Sequence, residues 1–351
     1  MTGHGGNIHL AARETGVAVS GILDFSASIN PLGMPASAAR AIAGSMADLV
    51  HYPEPFADQL AEYIAVMHGI EAGTVLCGNG STELIYLVAR ALAPRTVLIP
   101  APTFSEYERA CGLIAGSRCA GFMLAEQKNF DVDPDEFIGA MQGCDMAFLC
   151  NPNNPTGRLM SREAIRAIAA AAERSSCYLV VDEAFIDFTP QDSVLQDVAG
   201  MTHLIVLRSL TKFYALAGLR IGYGVFPSAL IKKMRDQKEP WTVNTLAQQA
   251  AIASLDDKQY QAKTMDAMRD EKQFLEQELQ RLGITYFPSA PNYYLLKLNN
   301  APAAIAGLRE KGILVRDCSN FAGLDETYIR VAVRSRRENE ALLKGLAACA
   351  A

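Results

Sequence analysis

The strongest constraint on the fold of this chain is an alternation of short apolar runs with amphipathic helical patterns. Strands buried on both faces of a sheet have this apolar character, and helices between them favour parallel pairing. The sequence therefore predicts an α/β fold with a mostly parallel sheet that is covered by helices. Strands are expected at 74–77, 96–100, 119–123, 146–150, 177–181 and 203–207, with helices between them at 57–68, 82–92, 104–115 and 162–174.

The last third of the chain has a different pattern. A long helical stretch runs from 243 to about 282, and a smaller set of strands and a final helix from 337 follow it. We expect an N-terminal segment at 1–45, a large domain at 46–245, and a linking helix with a small α+β domain at 246–351. The strand candidates of the small domain are 293–297, 313–316 and 328–333.

The composition excludes several classes of protein. The formal net charge is −6, and no run of Lys and Arg could neutralise a nucleic-acid backbone. No apolar run is long enough to span a bilayer, and the first residues do not resemble a secretory signal. The eight cysteines form no C-x-x-C pair, and the five histidines lack metal-ligand spacing. We therefore expect a cytoplasmic protein with free thiols, no metal site, and no nucleic-acid or membrane partner.

The segment Ser209–Tyr223 carries a pattern suited to amine chemistry. Lys212 lies in a hydrophobic setting, with the hydroxyls of Ser209 and Thr211 before it and Arg220 eight residues after it. Burial among apolar groups and a nearby cation both lower the pKa of a lysine, so the neutral amine becomes available for a Schiff base. Two hydroxyls and a guanidinium are also suitable donors for a phosphate monoester.

Polar residues also follow predicted strands or open a predicted helix. Asp182 ends an apolar strand, Asn154 lies in a Pro/Asn-rich turn after another strand, and Gly80, Ser81 and Thr82 open a helix. Considered singly, each is explained as a cap or a turn. Thr103 and Glu106 have the spacing of a capping box and predict a helix start. Open α/β sheets bind ligands at the carboxyl ends of their strands, and helix N-termini bind anions.

Taken together and in this order, the residues resemble those of fold-type I pyridoxal-phosphate enzymes of the aminotransferase superfamily, over essentially the whole chain. The resemblance implies pyridoxal 5′-phosphate as cofactor, a seven-stranded sheet in the large cofactor-binding domain, and a homodimer with shared sites. It implies that Lys212 binds the cofactor and moves protons, while Asp182 pairs with the ring nitrogen. The other implied cofactor-binding residues are Tyr52 from the neighbouring subunit, Gly80, Ser81, Thr82, Phe104, Asn154, Ser209, Thr211 and Arg220.

Longer stretches resemble one branch, the threonine-phosphate decarboxylases of cobalamin biosynthesis. This resemblance implies decarboxylation of O-phospho-L-threonine to (R)-1-aminopropan-2-yl phosphate, with O-phospho-L-serine as a second candidate substrate. The matching stretches are His4–Ile8, Asp24–Gly33, Asp182–Phe188, Arg208–Tyr214 and Tyr328–Ser335. The implied substrate-binding residues are His4, Gly5, Ser28, Asn154, Arg316 and Arg330, with the N-terminal segment covering the site.

Two positions depart from the related patterns. Ser28 stands where these decarboxylases often have an asparagine that contacts substrate, which leaves the choice between phosphothreonine and phosphoserine open. Phe185 stands where histidinol-phosphate aminotransferases usually carry a tyrosine, and this counts against that activity. Histidinol-phosphate aminotransferase is the alternative activity, and an inactive cofactor-binding regulator is the alternative of another class. Two observations favour an active enzyme: no basic recognition helix is present, and the chain retains Lys212, Asp182, Arg316 and Arg330 together.

Overall fold

The computed structural model describes residues 5–350, and the strands and helices below lie within that range. The strands are β1 (Leu23–Asp24), β2 (Val75–Gly78), β3 (Thr96–Ala101), β4 (Arg118–Met123), β5 (Met146–Cys150), β6 (Tyr178–Asp182), β7 (Leu204–Ser209), β8 (Gly222–Val225), β9 (Thr285–Tyr286), β10 (Tyr293–Lys297), β11 (Ile313–Leu314), β12 (Arg316–Asp317) and β13 (Tyr328–Ala332). The helices are α1 (Ile8–Thr15), α2 (Ala36–Gly44), α3 (Asp58–His68), α4 (Ser81–Leu92), α5 (Glu106–Gly112), α6 (Pro134–Ala140), α7 (Arg162–Ser175), α8 (Ser228–Gln237), α9 (Thr245–Asp256), α10 (Lys258–Arg281), α11 (Ala301–Glu310) and α12 (Arg336–Ala350). No helix within this range combines the length and hydropathy that crossing a membrane requires.

Seven strands form the central sheet, in the order β2-β8-β7-β6-β5-β3-β4. Of these seven, β8 alone runs opposite in direction to the other six, so the predicted mostly parallel sheet is confirmed. Because β2 is antiparallel to β8 and β8 is antiparallel to β7, β2 runs in the same direction as β7. The carboxyl ends of β2, β5, β6 and β7 therefore meet at one edge of the sheet.

The apolar runs are continuous because both faces of the sheet are buried. On β6, Leu179 and Val181 join the core on one face, whereas Val180 joins the core on the other. Helix α4 packs on the second face, with Leu84, Ile85 and Val88 buried against it. Burial on two faces removes the polar alternation that a half-solvated strand would show.

The C-terminal third forms a four-stranded antiparallel sheet, in the order β12-β13-β10-β9. A second, parallel pair joins β1 near the N-terminus to β11 near the C-terminus, with Leu23 opposite Ile313. The predicted strand 313–316 is therefore wrong in detail. Its first half pairs with β1 and its second half pairs with β13, so the run divides at Val315.

Two predictions about helices also need correction: the length of one helix and the residue that starts another. The stretch 243–282 divides into α9 and α10, because the side chain of Asp257 accepts a hydrogen bond from the Tyr260 amide and starts a new helix. The predicted capping box at Thr103 is wrong. The Thr103 hydroxyl instead donates to Asn153 Oδ1 at 2.7 Å, and Glu106 accepts from the Tyr86 hydroxyl at 2.5 Å.

Candidate active site

A cavity of about 430 Å³ opens at the carboxyl edge of the central sheet. It draws on β6, on the segments that follow β5 and β7, on the start of α4 and on β12 and β13 of the smaller sheet. Most of the site residues predicted from the sequence line it together. These are Gly5, Ser28, Ser81, Thr82, Phe104, Asn154, Asp182, Ser209, Thr211, Lys212, Arg220, Arg316 and Arg330.

Lys212 lies in the turn that follows β7, and its side chain faces this cavity. The turn is held from outside, because Asn30 donates through its amide nitrogen to the Lys212 carbonyl at 3.1 Å and through Nδ2 to the Phe213 carbonyl at 2.8 Å. Burial lowers the pKa of Lys212 to about 8, and the cations Arg330 and Arg220 act in the same direction. A substantial fraction of this amine is therefore neutral near pH 8, as nucleophilic or proton-transfer chemistry requires.

Asp182 ends β6 and is buried at the floor of the cavity, with 2% of its surface exposed. Its Oδ2 accepts from the Tyr107 hydroxyl at 2.7 Å, and Oδ1 accepts from the Ala184 amide at 3.0 Å. Burial raises the pKa of Asp182 to about 6, and the hydrogen bond from Tyr107 opposes that rise. This carboxylate is ionised at neutral pH and suits a protonated ring nitrogen of a ligand.

An anion cradle surrounds the N-terminus of α4. Ser209 and Thr211 place their hydroxyl oxygens 2.8 Å apart at the end of β7, and the amide groups of the first turn of α4 lie across β8 from them. Only glycine fits at position 80 with Arg220 in this place, because a Cβ there would lie 2.5 Å from Nη2 of Arg220. A Cβ at Gly222 would lie 2.6 Å from the Ser81 amide nitrogen. Hydroxyls, helix amides and a guanidinium fit a phosphate monoester.

Two arginines of the smaller sheet form the opposite wall. Arg330 and Arg316 are register partners on β13 and β12, so both side chains lie on one face of that sheet. Arg330 is 7% exposed, donates to the Ser26 carbonyl at 2.8 Å and also donates to Asn154 Oδ1. Arg316 donates to Asn320 Oδ1 at 2.8 Å and lies over the Phe321 ring. Paired guanidinium groups in a recess suit a substrate that carries two anionic groups.

Ser28 is buried at the wall of the same cavity, and its hydroxyl oxygen has no hydrogen-bond partner among the described residues. An unpaired buried hydroxyl that faces a cavity is suited to a ligand bond. Gly5 packs on the Ser26 carbonyl so closely that a Cβ would lie 2.3 Å from that oxygen. Phe104 contacts the Tyr107 ring edge-on at 5.6 Å, and Phe185 contacts the Tyr293 ring at 5.0 Å.

Of the predicted site residues that the structure describes, Tyr52 and Gly80 do not line this cavity, although Gly80 contacts Arg220 at its border. Tyr52 is 86% exposed and packs its ring against Trp241 at 5.5 Å, away from the cavity lining. His4 lies outside the described residues. The sequence reasoning missed Tyr107, the donor to Asp182; its place one helical turn after Phe104 was the available signal. It also missed Glu106 and Arg109, which line the cavity from α5.

The family model for class I and II aminotransferases matches residues 20–346 of the chain. The fold and the site therefore define an enzyme of the class I and II aminotransferase family, and the chain belongs to that family. The cofactor of this family is pyridoxal 5′-phosphate. The site fits it, because the anion cradle, a buried carboxylate and an amine of lowered pKa face one cavity.

Individual relatives narrow the comparison. The chain is 40% identical to threonine-phosphate decarboxylase of Salmonella typhimurium over 347 residues, which covers 98% of this chain and 95% of that protein. The solved structure of L-threonine-O-3-phosphate decarboxylase from Porphyromonas gingivalis is similar with a TM-score of 0.82 at 29% identity, covering 93% of this chain and 98% of that one. Histidinol-phosphate aminotransferase from Clostridium acetobutylicum is similar with a TM-score of 0.86 at 30% identity, covering 93% and 98%.

Proposed function

We propose that this enzyme decarboxylates O-phospho-L-threonine to (R)-1-aminopropan-2-yl phosphate, the linker of the cobalamin nucleotide loop. The observation that carries the proposal is the full-length similarity to the Salmonella typhimurium decarboxylase at 40% identity. The cavity supports it, since Arg316 and Arg330 give it two cationic groups opposite Lys212. A phosphate and a carboxylate on one small substrate need such a pair.

When bound, pyridoxal 5′-phosphate supplies an electron sink for the pair released as a bond to the substrate Cα breaks. Ser81, Thr82, Ser209, Thr211 and Arg220 would hold its phosphate by hydrogen bonds. Asp182 would hold the proton on the ring nitrogen, and Tyr107 keeps that carboxylate in place with its hydroxyl hydrogen bond.

Other residues would orient the ring of the cofactor. Phe104 would stack on one face, and Asn154 would donate to the phenolic oxygen. Because Asn154 Oδ1 accepts from Arg330, its Nδ2 is the donor that remains for that bond. Arg330 and Asn154 thus link the substrate side of the cavity to the cofactor side.

Lys212 would bind the cofactor and then return a proton to Cα after carbon dioxide leaves. Its pKa of about 8 suits this task, because the amine can take up and release a proton within the physiological range. Gly5, Ser28, Arg316 and Arg330 would bind the substrate and orient the bond to its carboxylate. His4 completes the proposed substrate set from outside the described residues.

The test is to incubate the cofactor-loaded protein with O-phospho-L-threonine in the absence of any keto acid and to measure carbon dioxide release. Catalytic release supports the decarboxylase, and a parallel reaction with O-phospho-L-serine measures the preference between the two substrates. One methyl group changes discrimination by about 1–3 kcal/mol, so we expect the preference between the two substrates to be no more than about 200-fold. No release with either substrate contradicts the proposal.

Histidinol-phosphate aminotransferase is the second candidate, favoured by the TM-score of 0.86 with the Clostridium acetobutylicum enzyme. Phe185 argues against it, because a buried phenylalanine that packs on Tyr293 has no hydroxyl to offer the ring oxygen. Transfer of an amino group from histidinol phosphate to 2-oxoglutarate, without carbon dioxide release from O-phospho-L-threonine, would establish this alternative.

We also propose that the protein is a cytoplasmic homodimer with shared active sites. The exposed Tyr52 and Trp241 form an aromatic pair, and Leu49 and Val50, which shortly precede Tyr52 in the chain, are also exposed. Exposed apolar side chains of this kind suit contact with a second copy. The seven cysteines described are all free, in keeping with a reducing compartment. We retain the proposed division at 1–45, 46–245 and 246–351, and the β1–β11 pairing supports the association of the first part with the last.

A further inference from the structure

We propose that Lys272, a residue of α10 outside the active-site cavity, is a positioning residue for substrate binding. It would act by holding the segment 288–293, which in turn supports Arg330 and the loop that carries Asn154. The inference rests on the proposed function, because its readout is the affinity for the phosphorylated substrate.

The Lys272 ammonium binds three successive backbone carbonyl oxygens. Its Nζ donates to the carbonyls of Ser289 at 2.5 Å, Ala290 at 2.9 Å and Pro291 at 3.0 Å, and it lies 5.4 Å from the centre of the Tyr294 ring. An ammonium has three donors, and all three have acceptors here. Because one ammonium binds three successive carbonyls, the lysine stabilises the shape of this segment.

The segment 288–293 is packed closely on the loop that carries Asn154. The Ala290 amide donates to the Gly157 carbonyl at 2.8 Å, and Arg158 donates to the Pro288 carbonyl at 2.9 Å. A Cβ at Gly157 would lie 2.1 Å from the Ser289 hydroxyl oxygen, so there is no room between the two backbones. A shift of the segment must therefore shift the loop.

Tyr293 connects the segment 288–293 to Arg330, the proposed substrate-binding arginine. Its hydroxyl donates to the Asn153 carbonyl at 2.8 Å, one residue before Asn154. The face of its ring lies 5.1 Å from the Arg330 guanidinium, which itself donates to Asn154 Oδ1. A series of contacts thus connects Lys272 to Arg330 and Asn154, although Lys272 itself contacts neither residue.

The experiment compares Lys272→Met and Lys272→Arg with the wild-type holoenzyme. The methionine keeps the length of the side chain and removes the donors, whereas arginine restores charged donors. Lys297→Met is the matched control, because Lys297 lies at the far end of β10 and pairs with Glu126. For each protein, kcat and KM for O-phospho-L-threonine are measured together with the melting temperature.

We expect Lys272→Met to raise KM about tenfold with kcat within about threefold, because a small displacement of binding groups weakens capture of the substrate. Lys272→Arg should return KM to within about threefold of wild type, and Lys297→Met should lower the melting temperature without changing KM. If Lys272→Met does not fold, Lys272→Gln replaces it, because its amide has only two donors and cannot bind all three carbonyls.

An unchanged KM in folded Lys272→Met, or in the Lys272→Gln variant that replaces it, overturns the proposal, and so does an equal rise of KM in Lys297→Met. A wild-type protein that releases no carbon dioxide from O-phospho-L-threonine is a failure of the proposed function instead. In that case KM is measured with histidinol phosphate and 2-oxoglutarate. A rise of KM in Lys272→Met, but not in Lys272→Arg or Lys297→Met, then supports the role of Lys272.

Discussion

Two buried groups of the site titrate away from their ordinary values in directions that suit their proposed tasks. Burial lowers the pKa of Lys212 to about 8 and raises the pKa of Asp182 to about 6. At neutral pH Asp182 is therefore ionised, and Lys212 stands near its titration point. The same burial produces both shifts, because it disfavours whichever form carries the charge.

The pKa of Asp182 predicts how cofactor affinity depends on pH. Below about pH 6 the carboxyl is neutral and holds the proton of the ring nitrogen less well, so the dissociation constant of pyridoxal 5′-phosphate should rise as pH falls. In Tyr107→Phe the hydrogen bond that lowers this pKa is lost, and the rise should begin at a higher pH. Equilibrium titrations followed by cofactor absorbance measure both midpoints.

Tyr63→Phe serves as the control for that titration, since Tyr63 donates its hydroxyl to Asp256 at 3.1 Å on the surface. Its midpoint should equal that of the wild type. A midpoint in Tyr107→Phe that stays in place or moves to lower pH would contradict the role given to the Tyr107 hydrogen bond.

Arg330→Ala should raise KM for O-phospho-L-threonine by about 10- to 100-fold, the loss expected for a hydrogen bond to a charged group. The anion cradle lies on the other side of the cavity and does not include Arg330, so the variant should still retain its cofactor. Arg336→Ala, on the surface of α12, is the control. Equal KM values for the wild type and Arg330→Ala would remove this arginine from the substrate site.

At this scale, the residues that carry chemistry could be predicted because their types and order match a known pattern. Their partners could not. Tyr107 is an ordinary apolar-face residue in the sequence, and only the approach of α5 to the end of β6 makes its hydroxyl the donor to Asp182. Lys272 is likewise one of many helical lysines until α10 meets the carbonyls of the 289–291 turn.

At the scale of elements, the site depends on strands that end together and on one helix that begins there. The N-terminus of α4 meets the end of β7 because β8 between them has glycines at the crowded positions. Gly222 allows the Arg208 carbonyl to approach within 2.6 Å of where a Cβ would stand. A phosphate cradle of this kind requires close backbone approach.

Gly80→Ala tests this cradle. Gly80 has a φ of 79°, and its added Cβ would displace the Arg220 guanidinium. We expect about 1 kcal/mol of destabilisation from the strained backbone, and cofactor affinity about tenfold weaker through the displaced guanidinium.

The control for Gly80→Ala is Gly139→Ala in α6, where an added Cβ meets no atom within 4 Å. That substitution should leave cofactor affinity unchanged and should not lower the melting temperature. If the two variants bind pyridoxal 5′-phosphate equally well, the cradle does not depend on the space at Gly80.

Elements with a clear hydrophobic period were predictable, and those defined by distant pairing were not. The strand β8 was missed because the two glycines of its Gly-Tyr-Gly-Val sequence interrupt the apolar pattern of a strand. A Cβ at either glycine would lie within 3 Å of atoms of neighbouring segments. The division of 313–316 depends on two different partners, β1 and β13, that lie far away in the sequence.

At the scale of the whole molecule, the proposed homodimer predicts complementation between two inactive variants. Lys212→Ala removes the proton-transfer amine, and Tyr52→Ala removes the residue proposed to reach the partner's cofactor. In a mixed dimer one site has Lys212 from one subunit and Tyr52 from the other, so it is intact. Random exchange of subunits should restore about a quarter of wild-type activity.

The measurement for complementation is activity after the two variants are unfolded and refolded together, beside each refolded alone. The single variants should remain nearly inactive. A mixture no more active than the sum of its parts would contradict a site shared through Tyr52.

The most direct test of the proposed reaction is the fate of the substrate carbon when O-phospho-L-threonine turns over in deuterated water. Decarboxylation followed by proton return from Lys212 predicts aminopropanol phosphate that keeps its amino group and carries one deuterium on the former Cα, as measured by mass spectrometry and NMR. A product that has lost its amino group and kept its carboxylate would contradict the account.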